Sequence, residues 1–350
     1  MTRVSPLESL RRQATGATHK IHSLPMLVLM PHSSCNCRCL MCDIWKANAM
    51  KRELSREDLE AQMGALRNLH VQRVVLSGGE ALMHHNLWVL CELLRELDED
   101  LRITLLSTGL LLEHFAANVV KWCDEVIVSL DGSPEVHDSI RRVPRAFDRL
   151  AEGIRALREH RPDYPVSGRC VLQRMNFRDL PRIVDAAHDI GLDRISFMAA
   201  DVSSTAFNRP QPWEQPRASE VALDTEETAE FAALVEDTIA RYAGDFATRF
   251  ISENPHKLRE LPRYYAALQG NADFPTRVCN APWVSSVVEA DGTVRPCFFH
   301  RSLGNIHEQS LEHILNSPDA IAFRRGLNVQ TDPICKTCVC TLSLGRRSPA

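Results

Sequence analysis

An α/β fold built around a parallel sheet is expected for this chain, and two observations lead there. Six short apolar runs rich in aliphatic and β-branched residues, at 26–30, 73–76, 103–106, 125–130, 168–172 and 194–198, alternate with stretches of helical period. The runs are apolar throughout, as strands covered on both faces are. Right-handed β–α units of this kind close into most of a TIM-like barrel or open into a doubly wound sheet. The strand pattern alone leaves both open.

Taken in order, residues 1–23 form a polar N-terminal extension without the apolar core of a secretory signal. The helical stretches are 55–69, 87–97, 113–122, 146–160 and 177–190. The first opens on Ser55 followed by Arg-Glu-Asp, an N-cap with acids in the first turn, and Gly191 stops the last. The alternation runs to about residue 200, which makes 24–200 one α/β unit. Residues 201–275 read as a helical connector or lid, with a Pro- and Gln-rich loop at 209–217 and helices at 224–242 and 255–268. Residues 276–342 read as a small α+β unit carrying a second cysteine group, and 343–350 as a polar tail. Within that unit, runs at 283–289 and 293–296 flank Asp291-Gly292, a strong hairpin-turn pair, and a helix follows at 310–325.

The 350 residues are 44% hydrophobic and 25% charged with a net charge of −4, an ordinary globular composition that gives no sign of a nucleic-acid partner. A local basic patch at Arg141, Arg142 and Arg145 stands apart from that balance. No run nears the ~20 apolar residues that span a bilayer. Twelve cysteines without an export signal point to a reducing, cytoplasmic setting and to metal ligation instead of disulfides.

Cys35, Cys39 and Cys42 stand in C-x3-C-x2-C spacing directly after the first apolar run. Three thiolates hold three irons of a [4Fe–4S] cube and leave the fourth open for a small molecule. Zinc is the competing reading; it would need Cys37 or a distant residue to close its tetrahedron. The spacing, placed after an N-terminal strand, resembles the signature of the radical SAM enzymes. The resemblance covers 24–200 and selects a partial (β/α)6 TIM-like barrel, whose ligands sit at the C-terminal ends of the strands. It implies a [4Fe–4S] cluster whose open iron is chelated by the amino and carboxylate groups of S-adenosylmethionine (SAM). Cys37 falls where that family has a variable residue.

Further motifs lie at the strand ends. Ser77-Gly78-Gly79-Glu80 resembles the family's Gly-Gly-Glu, which holds the methionine amino group, with Ala81 where Pro is common. Ser107-Thr108-Gly109 stands where the family often has Thr-Asn-Gly, implying a hydroxyl for the ribose or carboxylate of SAM. Ser129-Leu130-Asp131-Gly132 resembles a Ser-Leu-Asp-Gly whose serine contacts the ribose. His137, Asp138 and Arg141 resemble a His-Asp-x-x-Arg run, with Arg142 in place of the usual glycine. There the arginine fork suits the SAM carboxylate, and His137 is structural. The implied SAM contacts are therefore Gly78, Gly79, Glu80, Ser107, Ser129 and Arg141, with Met198 beside the adenine. Without the resemblance these residues read as strand-to-helix turns and a solvated arginine. Asn176 reads as a helix N-cap, and Asp201, Ser203 and Ser204 as substrate contacts at the barrel mouth.

Cys279 and Cys297, with Cys335 and Cys338, can make a four-thiolate site for zinc or iron–sulfur. The C-x12-G-x4-C start resembles the SPASM auxiliary-cluster region or its shorter Twitch version. The full pattern has seven cysteines and two clusters. Only five cysteines follow residue 270, so the resemblance implies one auxiliary [4Fe–4S] cluster on Cys279, Cys297, Cys335 and Cys338, with Cys340 surplus. Four thiolates would suit electron transfer; three would open an iron to substrate. Cys91, Cys123 and Cys170 fall in apolar elements and read as small core residues.

The resemblance implies an activity. An external one-electron reductant such as flavodoxin or ferredoxin loads the front cluster, and SAM is cleaved to methionine and a 5′-deoxyadenosyl radical. The radical takes hydrogen from a small-molecule or peptide substrate. Peptide modifiers of the family often carry a sizeable leader-binding domain, whereas about 24 residues precede the first strand here. That favours a small molecule, or a peptide delivered by a separate protein. Two other classes compete: a non-catalytic zinc or iron–sulfur scaffold, and a tRNA-modifying radical enzyme. The Gly-Gly-Glu and Ser-Leu-Asp-Gly turns speak against the first, the acidic balance against the second.

Overall fold

The computed structural model of the chain describes residues 5–345, so most of the expected tail at 343–350 lies outside the described residues. Six parallel strands carry the α/β unit: β1 (Met26–His32), β2 (Arg73–Gly78), β3 (Arg102–Ser107), β4 (Glu125–Ser129), β5 (Val166–Leu172) and β6 (Arg194–Ala199). Each pairs with the next in chain order. A doubly wound sheet reverses its order at a switch point. This one winds a single way, as a barrel does, and stays open because β6 does not return to β1. The free edge of β6 is covered by residues 250–253: Ile195 N–H donates to Phe250 O at 2.7 Å and Ser252 N–H to Ile195 O at 2.9 Å. An uncovered row of strand N–H and C=O groups would invite another chain.

The other edge grows instead of ending. β7 (Ser285–Val288) lies parallel to β1, and β8 (Thr293–Arg295) and β9 (Gly304–Asn305) follow antiparallel. Asp291-Gly292 makes the turn between β7 and β8, with Gly292 at φ +81. The C-terminal α+β segment thus continues the barrel sheet. Its Val288, Val294, Ile306 and Leu311 join one buried cluster with Leu27, Val74 and Ile103.

Several elements differ from the sequence reading, among them helices at Pro134–Arg141, Ala281–Val284 and Pro333–Thr337 that it did not give, and three more bear on how the chain is tied together. The helix expected at 55–69 is two, Arg56–Glu60 and Met63–Asn68. Gln62 between them is buried; it donates to Ile306 O and accepts from Leu311 N, binding the barrel to the C-terminal segment. The helix expected at 310–325 is also two, Leu311–Leu315 and Pro318–Gly326, because Ser317-Pro318 caps and restarts it. The N-terminal extension contains a helix, Pro6–Thr18, capped by Ser5 and anchored by a buried Glu8–Arg12 pair. Arg324, fully buried, ties the end of that extension down by donating to His19 O at 2.7 Å and to Leu315 O at 2.6 Å. Among the described residues no helix is long and apolar enough to cross a membrane.

Glu253 carries a pH prediction. Its carboxylate accepts from Phe197 N–H at 3.0 Å, and burial pushes its pKa up to about 7. Between about 4.5 and 7 the folded chain keeps a proton that the unfolded chain has released, so this contribution to stability is full at low pH and lost as pH rises through 7. Glu253→Gln keeps an acceptor for Phe197. Its thermal midpoint is expected to fall less than that of wild type between pH 5 and 8, and parallel melting curves would refute this.

Candidate active site

Because β1–β6 are parallel, the segments that leave their C-terminal ends meet on one side of the sheet. The loop after β1 carries Cys35, Cys39 and Cys42. It is stapled locally: Cys35 N–H donates to Asn48 Oδ1 at 2.9 Å, Asn48 Nδ2 to Cys35 O at 2.8 Å, and Trp45 Nε1 to Cys42 O at 2.9 Å. Arg38 N–H and Leu40 N–H reach the carbonyls of Arg141 and Ile140 at 3.2 Å each, joining this loop to the helix Pro134–Arg141. Cys37 is buried between two of the three, and hydrogen bonding to Cys35 and Cys39 pushes its thiol well above the usual range. Cys39 moves the other way, to about 7, through Cys37 and the nearby Arg141 charge.

The Gly-Gly-Glu turn is pressed onto this loop. Gly79 N–H donates to His32 O at 3.3 Å and Glu80 N–H to Ser34 O at 2.9 Å. Gly78 sits at φ +116, where a side chain is strained. The Glu80 carboxylate turns away from any opening: it accepts from Thr108 N–H at 2.6 Å, Leu82 N–H at 3.2 Å and Ser107 Oγ at 3.1 Å, and burial raises its pKa. Ser107 is therefore placed as a partner of Glu80, and the exposed edge of the turn is backbone. Thr108 Oγ1 donates to Asn36 Oδ1 at 3.0 Å, so the end of β3 also holds the cysteine loop. Ser129 closes β4 half-buried at the same end of the sheet.

Arg141 is buried, not solvated. One Nη is ion-paired with Asp131, and the other lies 3.5 Å from Cys39 Sγ. Asp131 is held by Val171 N–H at 2.9 Å, and its own N–H donates to His137 Nδ1 at 3.1 Å. Burial pushes the His137 pKa down to about 3, which keeps the ring neutral as a brace. Asn176 stands at the N-cap of the short helix Phe177–Asp179, yet its side chain makes no capping bond; its amide bridges Asp131 O and Val171 O at 2.7 and 3.1 Å, across the ends of β4 and β5. Asp201, Ser203 and Ser204, read as substrate contacts, bind one another: the Asp201 carboxylate accepts from both serines and from Arg209 at 2.7 Å, as a buried acid needs its cation and donors.

At the far edge, Cys279 precedes β7, Cys297 follows β8, Cys335 lies within the helix Pro333–Thr337 and Cys338 caps its C-terminus. Asn280 binds the returning chain end through Leu342 O and Leu344 O at 2.8 Å each, which brings both halves of the group together. Burial pushes Cys297 up to about 11, with further repulsion from Cys279 and Cys340; Cys335 rises to about 12 through burial, Asp332 and Cys297. Cys340 is exposed, and its carbonyl accepts from Cys338 Sγ at 2.8 Å.

Both thiol groups supply the thiolate donors that zinc and iron–sulfur clusters share. Tetrahedral zinc would draw its thiolates to roughly 3.8 Å of one another, given Zn–S bonds of ~2.3 Å. Among the described residues, the His, Cys and carboxylate groups with donors all within 4.8 Å are Glu53–His84–His85 and His300–Asp332–Cys335. The thiols of neither cysteine group crowd together that closely. A cleft of ≈ 510 Å³ is walled by Gly79 and His32 on the barrel side, Ile44 from the segment after Cys42, Phe207 on the connector and Phe298 and Phe299 on the C-terminal segment; no cysteine is among its described lining residues.

A one-way parallel barrel with a three-thiol loop on β1 and a second thiol group beyond it defines a cluster-bearing enzyme scaffold. Residues 29–203 match the Radical SAM superfamily and 279–339 match SPASM, an iron-sulfur cluster-binding domain; the chain belongs to the radical SAM superfamily. It is a radical SAM enzyme that uses a [4Fe–4S] cluster and SAM, and its SPASM region implies auxiliary iron–sulfur. It is 28% identical over 304 residues to the Fe-coproporphyrin III synthase of Methanosarcina barkeri, covering 83% of this chain and 73% of that one. Against the AdoMet-dependent heme synthase of the same organism identity is 24% over 163 residues, 45% of this chain and 46% of the relative. The fold superposes on Streptococcus suis SuiB bound to precursor peptide SuiA with a TM-score of 0.64 at 16% identity, over 93% of this chain and 73% of that one.

The sequence reading missed Asn36, Asn48, Arg209, Trp213 and Arg217, which hold the cysteine loop. Asn48 lies in the short turn after the loop and was within reach of a local search; the others act across long sequence separations.

Proposed function

We propose that Cys35, Cys39 and Cys42 hold the SAM-binding cluster, that Cys279, Cys297, Cys335 and Cys338 hold one auxiliary [4Fe–4S] cluster, and that the cleft walled by Gly79, Phe207, Phe298 and Phe299 receives a carboxylated tetrapyrrole as substrate. When bound, the front cluster and SAM supply reductive cleavage to methionine and a 5′-deoxyadenosyl radical, fed by an external donor such as flavodoxin or ferredoxin. The chain's own part is to orient and to exclude water. The Gly79 backbone, lining the cleft beside the fully engaged Glu80, suits the methionine amino group. Arg141, buried with one Nη 3.5 Å from Cys39 Sγ and the other paired with Asp131, is the cation this reading assigns to the SAM carboxylate.

The cleft carries the substrate reading. Phe207, Phe298 and Phe299 pack edge to face, with centroids 5.0 to 6.1 Å apart, and offer a flat substrate an aromatic wall. Lys46, Arg52 and Arg295 line it as well, each paired with an acid of the chain, Asp43, Asp291 and Glu289, which peripheral carboxylates of a substrate would have to displace. Two relatives named for coproporphyrin and heme synthesis support this choice. A peptide is the second reading, because the margin at Met50 and Arg52 is open to solvent.

The test is anaerobic incubation with SAM and dithionite, reading 5′-deoxyadenosine. Of a panel of iron tetrapyrroles with carboxylate side chains, iron coproporphyrin III among them, at least one is expected to accelerate its formation at least tenfold and to shift its own Soret band on binding, while unrelated peptides do neither. Product formation indifferent to the porphyrin would refute the tetrapyrrole; no product under any condition would refute the radical assignment. Iron should approach about eight per chain, two cubes' worth, and combining Cys279→Ala, Cys297→Ala and Cys335→Ala, which leaves that region only Cys338 and Cys340, should lower it to about four.

A further inference from the structure

Residues 201–217 leave β6 and pass beneath the cysteine loop. Three of their side chains converge on one turn of it. Arg209, fully buried, donates to Met41 O at 3.0 Å while paired with Asp201. Trp213 Nε1 donates to Asp43 Oδ2 at 2.9 Å. Arg217 donates to Leu40 O. The two guanidiniums also lie over the Trp213 indole, at 3.8 and 4.4 Å from its centroid, so the three act as one stack. Leu40, Met41 and Asp43 are the neighbours of Cys39 and Cys42 in sequence. Val202, Ala218 and Val221 complete the contact by packing in one apolar cluster with Cys37, Cys39, Leu40 and Met41.

The same segment reaches the cleft. Phe207 and Asn208 are consecutive non-glycine residues at φ +60 and +63, a conformation kept only where surrounding contacts impose it. Here Phe298 and Phe299 hold the Phe207 ring on one side and Arg209 lies 5.1 Å from it on the chain's next turn. The stretch is thus anchored at both ends, on the cleft wall and on the thiol loop.

We infer that Arg209, Trp213 and Arg217 are positioning residues for the front cluster: they set the Leu40–Asp43 turn, and with it the placement of Cys39 and Cys42 around the iron that SAM occupies. This rests on the assignment of Cys35, Cys39 and Cys42 as ligands. Neither arginine's charge is the whole of it. Carbonyls engaged by cations cannot turn inward, and a turn held at three points would keep Cys39 and Cys42 in place to hold the cluster. A loosened turn would let the two thiolates shift and the cluster shed iron.

Arg209 is a poor test site, since its loss strands a buried Asp201. Trp213→Ala removes the stack and the bond to Asp43; Trp213→Phe keeps an aromatic face and removes only the bond; Arg217→Ala acts at a side chain 30% exposed and leaves the buried pair alone. The reconstituted full chain is reduced with dithionite, and its EPR spectrum recorded with and without SAM. Iron release to a chelator is timed alongside. Trp213→Ala and Arg217→Ala are expected to lose the SAM-induced spectral change and to release front-cluster iron at least tenfold faster, with the auxiliary signal unmoved and Trp213→Phe in between. An unaltered SAM response and release rate in both alanine variants would overturn the inference. If wild type shows no SAM-responsive signal that Cys39→Ala abolishes, the ligand assignment itself fails, and the clamp with it.

Discussion

Replacing any one of Cys35, Cys39 and Cys42 by alanine is expected to abolish 5′-deoxyadenosine formation, a fall of at least ~10³-fold or about 4 kcal/mol of transition-state stabilisation. Two thiolates do not retain a cube that three hold at its minimum. The loop offers one thiol nearby, Cys37, and its position argues against rescue. It is buried with its sulfur between Cys35 and Cys39, and its N–H already reaches Cys35 Sγ at 3.5 Å. Moving it to a ligand position would pull apart the backbone contacts that Arg38 and Leu40 make to the helix ending at Arg141. Cys37→Ala should therefore keep turnover while losing a little stability. Product analysis by mass spectrometry, with iron counted per chain, separates the cases. A triplet variant that turns over like wild type would remove the front site altogether.

Much of this was legible in the sequence, for identifiable reasons. The strands showed because burial on both faces makes each run continuously apolar, and the observed β3, β5 and β6 fall within a residue or two of the expected runs. The winding was not legible: apolar runs and helices look alike in barrels and doubly wound sheets, and only the pairing order decides. Local signals that were overlooked explain some misses. Ser5-Pro6 and Ser317-Pro318 are both a cap followed by proline at the first helical position, and each starts a helix. Other misses are long-range. That Glu80 would spend its carboxylate on Ser107 and Thr108 depends on β2 lying beside β3 in register. That Arg141 would bury against Asp131 depends on a helix folding back over the end of β4. The Pro- and Gln-rich stretch at 209–217 reads as an ordinary loop, because what it grips lies some 170 positions earlier in the chain.

Gly79→Ala is expected to reduce SAM cleavage by about 10²-fold with the fold intact, since a shift near 1 Å in a positioned group costs about that much. A Cβ at this position would lie 2.0 Å from Ser34 O, 2.4 Å from Ser34 C and 3.0 Å from Cys35 N. All three are backbone atoms, so no side chain can swing aside to make room. Either the turn lifts away from the cysteine loop, breaking the Glu80 N–H bond to Ser34 O, or the loop moves and takes Cys35 with it. Both outcomes separate the surface offered to SAM from the iron it must reach. The structural cost of such overpacking, about 1–3 kcal/mol, falls short of unfolding a chain this size, so activity should drop further than the melting midpoint suggests. Gly64→Ala is the matched control: it sits in the helix Met63–Asn68 with nothing within 4 Å of an added Cβ, and alanine there should stabilise by up to ~1 kcal/mol without touching turnover. SAM binding by equilibrium dialysis, set beside the rate of 5′-deoxyadenosine formation, gives the decisive comparison. Equal binding and equal rates in wild type and Gly79→Ala would mean that the Gly-Gly-Glu turn does not form the floor of the SAM site.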